Sequence, residues 1–242
     1  MLRNYWETIV DLVYPTNCII CKKHLGSRKT DLICADCLNR AENNLPPFCA
    51  KCGGNLKDKE QEKGICSSCR DKNFCFKRAW SVTLYKGIME DLIHMFKYQN
   101  KPQLAKPLSR MMIDFMETYN LALKGFDWVV GVPLHSSKLR EREYNQAQLL
   151  AENIAEYFAI PVSKGNLQRC KPTPPQSSLT PEKRWNNVAN AFTLKEPEQF
   201  KDKRILLVDD LLTTGATCSE IAKTLNQAQA SCVFTLTLSI AR

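Results

Sequence analysis

The sequence predicts an α/β fold with a mainly parallel sheet and helices on both faces, preceded by a small metal-binding module. Two observations carry this prediction. From Trp80 onward, short apolar runs alternate with longer segments of helical periodicity, a pattern typical of βαβ units. Before residue 80 the chain is polar and rich in cysteine and lysine, so that segment needs a bound metal to hold it together. We expect two units, 1–78 and 79–242.

Each element has its own signal. Apolar side chains at helical spacing before Pro15 predict a short helix over 1–15 that caps the metal module. Residues 163–190 carry Pro, Ser and Arg without periodicity and predict a long loop. Runs of β-branched and aromatic residues predict strands, and amphipathic spacing predicts helices. The strands are expected at 80–85, 126–134, 204–210 and 231–239, and the helices at 87–98, 103–123, 144–158 and 216–228.

Composition limits the possible classes of protein. No stretch approaches the roughly 18 apolar residues of a membrane helix. Glu7 and Asp11 interrupt the N-terminal pattern, which lacks an A-x-A cleavage site, so we expect neither a membrane span nor a secretory signal. Cysteines in C-x-x-C pairs are typical of metal binding in a reducing compartment rather than of disulfide bonds, so the expected location is the cytoplasm. The formal net charge is +9, but two four-thiolate zinc sites would lower it to roughly +5. Charge alone therefore does not establish nucleic-acid binding.

Eight of the 12 cysteines form four C-x-x-C pairs: Cys18/Cys21, Cys34/Cys37, Cys49/Cys52 and Cys66/Cys69. Each pair presents two sulfurs from one turn, and two turns complete the tetrahedral S₄ site that zinc prefers. We expect two closed structural zinc sites, with the pairs combined either sequentially or in alternation, and with iron–sulfur ligation as the alternative. His24 and Cys75 lie near the pairs and are expected to be bystanders.

The stretch ILLVDDLLTTGAT, residues 205–217, is the second chemical signal. A buried strand delivers Asp209 and Asp210 at its carboxyl end, where open α/β sheets bind ligands. A turn leading into a helix follows, with glycine for close approach, backbone N–H groups for an anion and hydroxyl donors. Its residues are Thr213, Thr214, Gly215, Ala216 and Thr217. The carboxylates suit ribose hydroxyls or magnesium-bound water beside a phosphate.

These residues resemble the phosphoribosyl pyrophosphate (PRPP) loop of type I phosphoribosyltransferases. The resemblance implies a phosphoribosyltransferase-like, Rossmann-like domain that binds PRPP with magnesium. Asp209 and Asp210 would be the catalytic carboxylates that hold ribose, and residues 213–217 would bind the 5′-phosphate.

The whole chain resembles the ComF family of late competence proteins, which combine a zinc ribbon with such a domain. The resemblance rests on the cysteine pairs, FKY at 96–98, VGVPLHSSKLREREYNQ at 130–146, and a set of residues from Arg169 to Phe192. It implies a pyrophosphate loop at 132–138, with Ser136, Ser137 and Lys138 as donors. It also implies a flexible loop that closes over the substrate and contains Arg169, Gln176 and Arg184. Glu143 stands where the family usually has glycine.

Three functions remain open. The family resemblance implies a competence protein that handles incoming single-stranded DNA, with partners in the DNA-uptake machinery or its helicase at the inner face of the membrane. The alternatives are a true phosphoribosyltransferase acting on a small nucleobase, and a zinc-dependent adaptor with a vestigial pocket. The chain ends soon after its last predicted strand, so we expect the ribbon to overhang the PRPP site. Trp80, Phe96 and Tyr98 are either base-stacking residues or core aromatics.

Overall fold

The computed structural model describes residues 17–26, 32–121, 125–172 and 181–241, so the helix predicted over 1–15 lies outside the described residues. Its centre is a five-stranded sheet in which every pairing is parallel, in the order β1-β7-β6-β2-β3. A separate antiparallel pair joins β4 to β5. The strands are β1 Arg78–Leu84, β2 Trp128–Gly131, β3 Val162–Ser163, β4 Leu167–Arg169, β5 Phe192–Leu194, β6 Arg204–Leu212 and β7 Cys232–Ile240.

The helices cover both faces of this sheet, as the sequence predicts. They are α1 Ala35–Leu38, α2 Asp58–Gln61, α3 Ile88–Tyr98, α4 Ala105–Thr118, α5 Ser136–Arg142, α6 Gln146–Phe158, α7 Pro181–Val188 and α8 Ala216–Gln227. Short 3₁₀ turns occur at Ser67–Cys69, Pro102–Leu104 and Pro197–Phe200.

The central strand β6 separates two apolar cores. Leu206 and Val208 pack with side chains of α3, α4 and α6, whereas Ile205 and Leu207 pack with those of α8. This division follows from the alternation of side chains along a strand, and it explains the continuous apolar run of a strand buried on both faces. The carboxyl end of β6 therefore lies between two sets of helices.

The long loop predicted over 163–190 is wrong in part, because this stretch contains β4 and α7. A three-residue strand has no readable periodicity, and β4 forms because it pairs with β5. The polar helix α7 packs on α8 through the buried side chain of Val188. Helix α5 was not predicted, because its seven residues are all at least partly exposed and show no apolar stripe. The helix predicted over 103–123 is shorter, with α4 preceded by a 3₁₀ turn.

The cysteine-rich segment lies against the β1 edge of the sheet. The backbone N–H of Ala79 donates to the Lys51 carbonyl at 2.9 Å. The buried side chain of Asn44 donates from Nδ2 to the carbonyls of Gly53 and Ser81, at 2.8 and 2.7 Å. Gly53 allows this approach, since a Cβ there would lie 2.3 Å from the Ala79 carbonyl oxygen. These bonds continue the hydrogen bonding of the sheet into the ribbon, while the division into 1–78 and 79–242 stays a prediction.

Candidate functional site

The eight paired cysteines form two tetrads, and the pairs combine sequentially. Cys18, Cys21, Cys34 and Cys37 form one group and Cys49, Cys52, Cys66 and Cys69 the other, with all four sulfurs of each group within 4.8 Å of one another. The Cys21 and Cys34 sulfurs are 3.6 Å apart, and those of Cys52 and Cys66 are 3.8 Å apart. Tetrahedral zinc with Zn–S bonds of about 2.3 Å requires about 3.8 Å. Both tetrads therefore fit a structural zinc.

The two ribbons repeat the same local fold. Cys18 N–H donates to the Lys23 carbonyl and Cys49 N–H to the Gly54 carbonyl, each at 2.8 Å. The residue after each first pair is left-handed, with φ of 62° at Lys22 and 69° at Gly53. His24 and Cys75 belong to neither tetrad, as the sequence analysis expects.

Asp209 and Asp210 lie near the carboxyl end of β6, but the strand continues to Leu212. Alternation along the strand therefore directs the two carboxylates to opposite faces. Asp210 is buried, on the face of α3, α4 and α6, and Asp209 is partly buried on the face of α8. The pair thus consists of two groups in different surroundings.

Asp210 forms an ion pair with Lys97 of α3, with Nζ 2.7 Å from Oδ1. Both side chains are largely shielded, with 18% and 9% of their areas exposed. Burial acts to lower the pKa of Lys97, but the attraction of Asp210 outweighs it, so the pKa is raised. Lys97 therefore stays charged and neutralises Asp210.

Tyr144, just before α6, and Gln146, its first residue, hold the backbone next to Lys97 in place. Tyr144 Oη and Gln146 Nε2 both donate to the carbonyl of Phe96, at 2.5 and 2.9 Å. They fix the backbone one residue before Lys97. Lys97 was not predicted as a site residue, although the FKY and YNQ motifs contain Lys97 and the two side chains that support it. The available signal was a lysine between two aromatic residues at the end of an otherwise apolar helix face.

Asp209 has no ion-pair partner among the residues that the structure describes. Burial, and then repulsion by Asp210, raise the pKa of Asp209 to about 7. Lys97, the backbone N–H of Asp210 and Arg169 act in the opposite direction. Arg169 lies on β4, where an isolated bridge pairs it with His135 at the end of the β2 loop. Asp209 is therefore the carboxylate that a bound cation or hydroxyl would stabilise most.

The turn after β6, residues 213–217, is the predicted anion cradle. Gly215 is left-handed, with φ of 79°, and caps the N-terminus of α8. The hydroxyl of Thr214 accepts from the N–H of Ala216 at 3.4 Å. The turn leads into the positive end of a twelve-residue helix. The residues predicted to bind a 5′-phosphate thus lie between the end of β6 and the first turn of α8.

The predicted pyrophosphate loop lies at the neighbouring strand end. Val132 N–H donates to the Val208 carbonyl at 2.9 Å, which extends the β2–β6 pairing toward Asp209. Ser136, Ser137 and Lys138 form the first turn of α5. Ser137 is held by His135, whose Nδ1 lies 2.8 Å from the serine hydroxyl. Lys138 forms an ion pair with Glu141 at 2.6 Å, so its charge is already partnered.

Glu143 ends α5 in the left-handed conformation, with φ of 67°. Glycine adopts this conformation without steric cost, which explains the glycine of the family motif. The Glu143 carboxylate accepts from Asn100 Nδ2 at 2.6 Å, which holds it against the end of α3. A pocket of about 200 Å³ lies here and includes Lys97 and Arg142. A larger cavity of about 1000 Å³, between α1, α4 and α6, contains none of the predicted site residues.

Of the predicted flexible-loop residues, Arg169 interacts electrostatically with Asp209, Arg184 lies on α7, and Gln176 lies outside the described residues. The aromatic residues divide. Trp80 and Phe96 are buried core side chains, whereas Tyr98 is 53% exposed and carries the Arg142 guanidinium 4.8 Å from its ring. Among the described residues, no helix is both long and apolar enough to cross a lipid bilayer.

Comparison with known proteins supports the zinc ribbon and identifies the family of the chain. The double zinc ribbon domain model matches residues 9–70. Competence protein F of Haemophilus influenzae is 31% identical over 87% of this chain and 90% of its own length. DNA utilization protein YhgH of Escherichia coli is 29% identical over 92% of this chain and 96% of its own. Competence protein ComFC of Bacillus subtilis is 23% identical, with 93% and 95% covered. The chain therefore belongs to the ComF family, with competence protein F and ComFC.

Proposed function

We propose that this protein acts on incoming single-stranded DNA during natural transformation, and that its site at the end of β6 binds PRPP with magnesium. The main support for this ligand is that Asp209, at the end of β6, is followed by the left-handed Gly215 at the N-terminus of α8. The relatives named as competence and DNA utilization proteins support the biological setting.

The charges around the site support different roles for the two carboxylates. Asp210 is committed to Lys97, so its main effect is to keep a cation at the base of the pocket. Asp209 lacks such a partner among the described residues and would take the ribose hydroxyls or a magnesium-bound water. The cradle at 213–217 would hold the 5′-phosphate through backbone N–H groups and hydroxyls.

Arg169 and the α5 turn are the candidates for the pyrophosphate group. Arg169 is paired through its backbone with His135, which also caps α5. Its guanidinium is largely desolvated, and burial lowers its pKa while Asp209 opposes that effect. An oxyanion in this position could accept charge-assisted hydrogen bonds from the guanidinium. Magnesium bound with PRPP would neutralise part of the pyrophosphate charge.

Two measurements on the zinc-loaded protein test the proposal together. The first is fluorescence anisotropy of a labelled single-stranded oligonucleotide at low and high salt, with and without magnesium PRPP. We expect binding that weakens steeply as salt increases. The second is pyrophosphate release from PRPP with DNA or with a panel of nucleobases as acceptor. Release stimulated by one nucleobase and indifferent to DNA would replace this proposal with a small-base phosphoribosyltransferase. DNA binding that persists with no response to PRPP would instead favour the zinc-dependent adaptor.

A further inference from the structure

The ring of Phe74, five residues after the last tetrad cysteine, lies against Gly215. A Cβ built on Gly215 would be 2.6 Å from Phe74 Cε1 and 3.3 Å from Cδ1. Gly215 is the left-handed residue from which α8 begins, so the ring touches the backbone of the anion cradle itself. Glycine is therefore required at this position for two reasons: the positive φ would strain any other residue, and a side chain would collide with the aromatic ring.

Hydrogen bonds fix the segment around Phe74 from both sides. Cys75 N–H donates to Ser219 Oγ at 3.0 Å, and Asn226 Nδ2 donates to the Cys75 carbonyl at 2.9 Å, so α8 holds the segment along its flank. Lys51 Nζ, from the turn of the second tetrad, donates to the carbonyls of Cys69 and Lys72 at 3.1 and 2.6 Å. The segment is thus a strut between the second ribbon and α8.

Aromatic packing restricts the ring as well. Phe74 stacks on buried Phe76 with ring centroids 4.7 Å apart and lies 6.0 Å from Trp185 of α7. The ring of Phe74 therefore has aromatic neighbours both in its own segment and in α7. Because the ring packs between these aromatic side chains and Gly215, a shift of Gly215 toward the ring would also have to move the ribbon segment.

We infer that Phe74 is a positioning residue for the phosphate-binding turn. Its ring sets the place of Gly215 relative to the first turn of α8, and so keeps the N–H groups of residues 213–217 convergent. The ribbon thereby contributes to the site through Phe74, without supplying a group that contacts the ligand. The inference deepens the proposed function and rests on it for the identity of the ligand.

The first test compares Phe74→Ala with the full-length parent, using ribose 5-phosphate as the probe in titration calorimetry. We expect the dissociation constant to rise about tenfold or more in Phe74→Ala. Phe74→Leu, which keeps apolar volume, should recover part of the affinity, and both variants should retain two zinc ions by metal analysis. Tyr157→Ala removes an aromatic side chain of α6 whose ring contacts are with Phe158 and Arg110, and this variant should bind like the parent. Equal affinity of Phe74→Ala and the parent would overturn the inference.

A double-mutant cycle tests the contact itself. Gly215→Ala should weaken binding strongly but measurably, because the new methyl group meets the ring and the positive φ is strained. Phe74→Ala/Gly215→Ala removes the first cause and should bind more tightly than Gly215→Ala alone. Strictly additive losses would show that the two residues do not act on each other.

Amide hydrogen exchange decides the inference even if ribose 5-phosphate does not bind to the parent, an outcome that would contradict only the proposed ligand. The Ser219 amide donates to the Gly215 carbonyl at 2.9 Å. We expect exchange in residues 213–219 to be about tenfold faster in Phe74→Ala, with α6 unchanged. Unchanged exchange in residues 213–219 would refute a positioning role.

Discussion

Lys97 Nζ and Asp210 Oδ1 are 2.7 Å apart in a largely buried ion pair that joins helix α3 to the central strand. The pair separates the roles of two adjacent carboxylates, because Asp210 is neutralised by the protein and Asp209 is not. Removing either charge of such a pair leaves the other without compensation in a region of low dielectric.

Replacement of Lys97 by methionine should therefore destabilise the fold. We expect Lys97→Met to lower the free energy of unfolding by about 2–4 kcal/mol, as measured by urea denaturation at pH 7.5. Lys97→Arg keeps the charge and should lose less. A Lys97→Met protein that unfolds at the parent's urea midpoint would show that the pair contributes nothing to stability.

Replacement of Asp209 by asparagine should have the opposite effect, and the effect should depend on pH. Burial and repulsion by Asp210 raise the pKa of Asp209 to about 7, above the ~3.9 of an unfolded chain. The folded state thus holds this proton more tightly, and ionisation of Asp209 reduces stability as pH rises from about 4 to about 7. Asp209→Asn should be more stable than the parent by about 1–3 kcal/mol at pH 8, with the difference vanishing near pH 4. Urea denaturation at several pH values would measure this, and a difference that does not vary with pH would contradict the assigned environment.

Tyr144 and Gln146 bond to the same carbonyl, so their replacement should reduce the free energy of unfolding non-additively. Tyr144→Phe leaves the Phe96 carbonyl bonded to Gln146, and Gln146→Leu leaves it bonded to Tyr144. Each single change should reduce the free energy of unfolding by about 1 kcal/mol. The double variant should lose more than the sum, because the carbonyl is then left without a donor. Additive losses in thermal or urea unfolding would show that the two bonds do not support the same group.

The two tetrads should release zinc at different rates. Cys21 is the one exposed thiol among the described tetrad residues, whereas all four cysteines of the second tetrad are buried. A chelator with a colorimetric zinc readout should therefore remove one equivalent quickly and the other slowly. Cys21→Ser should abolish the fast phase and leave one zinc per chain. Loss of the slow phase in Cys21→Ser instead would reverse the assignment.

The sequence predicted the parts of this structure that have a strong local signal. The apolar run before Asp209 indicates a strand buried on both faces, and the glycine and threonines after it indicate a turn into a helix. Both are properties of short, continuous segments. The spacing of the cysteine pairs indicates two four-thiolate sites for the same reason.

The remaining features depend on contacts between distant segments. The choice of sequential over alternating tetrads is set by how the two ribbons fold, which the similar spacings of 12, 11 and 13 residues between the pairs leave open. In the sequence Lys97 is a single lysine in a largely apolar helix, and its role depends on the contact with Asp210, which only the folded chain brings opposite it. Helix α5 has a single apolar residue, Leu139, and β4 forms through its pairing with β5, so neither has a periodic signal.

Titration calorimetry of magnesium PRPP into the zinc-loaded parent and into Asp209→Asn tests the central claim most directly. The account predicts one PRPP per chain in the parent and an affinity at least about tenfold lower in the variant, which is expected to be the more stable protein at the same pH. Loss of binding could then not be attributed to unfolding. Absence of binding to the parent, or equal binding to both proteins, would contradict a PRPP site built on Asp209 and the turn at Gly215.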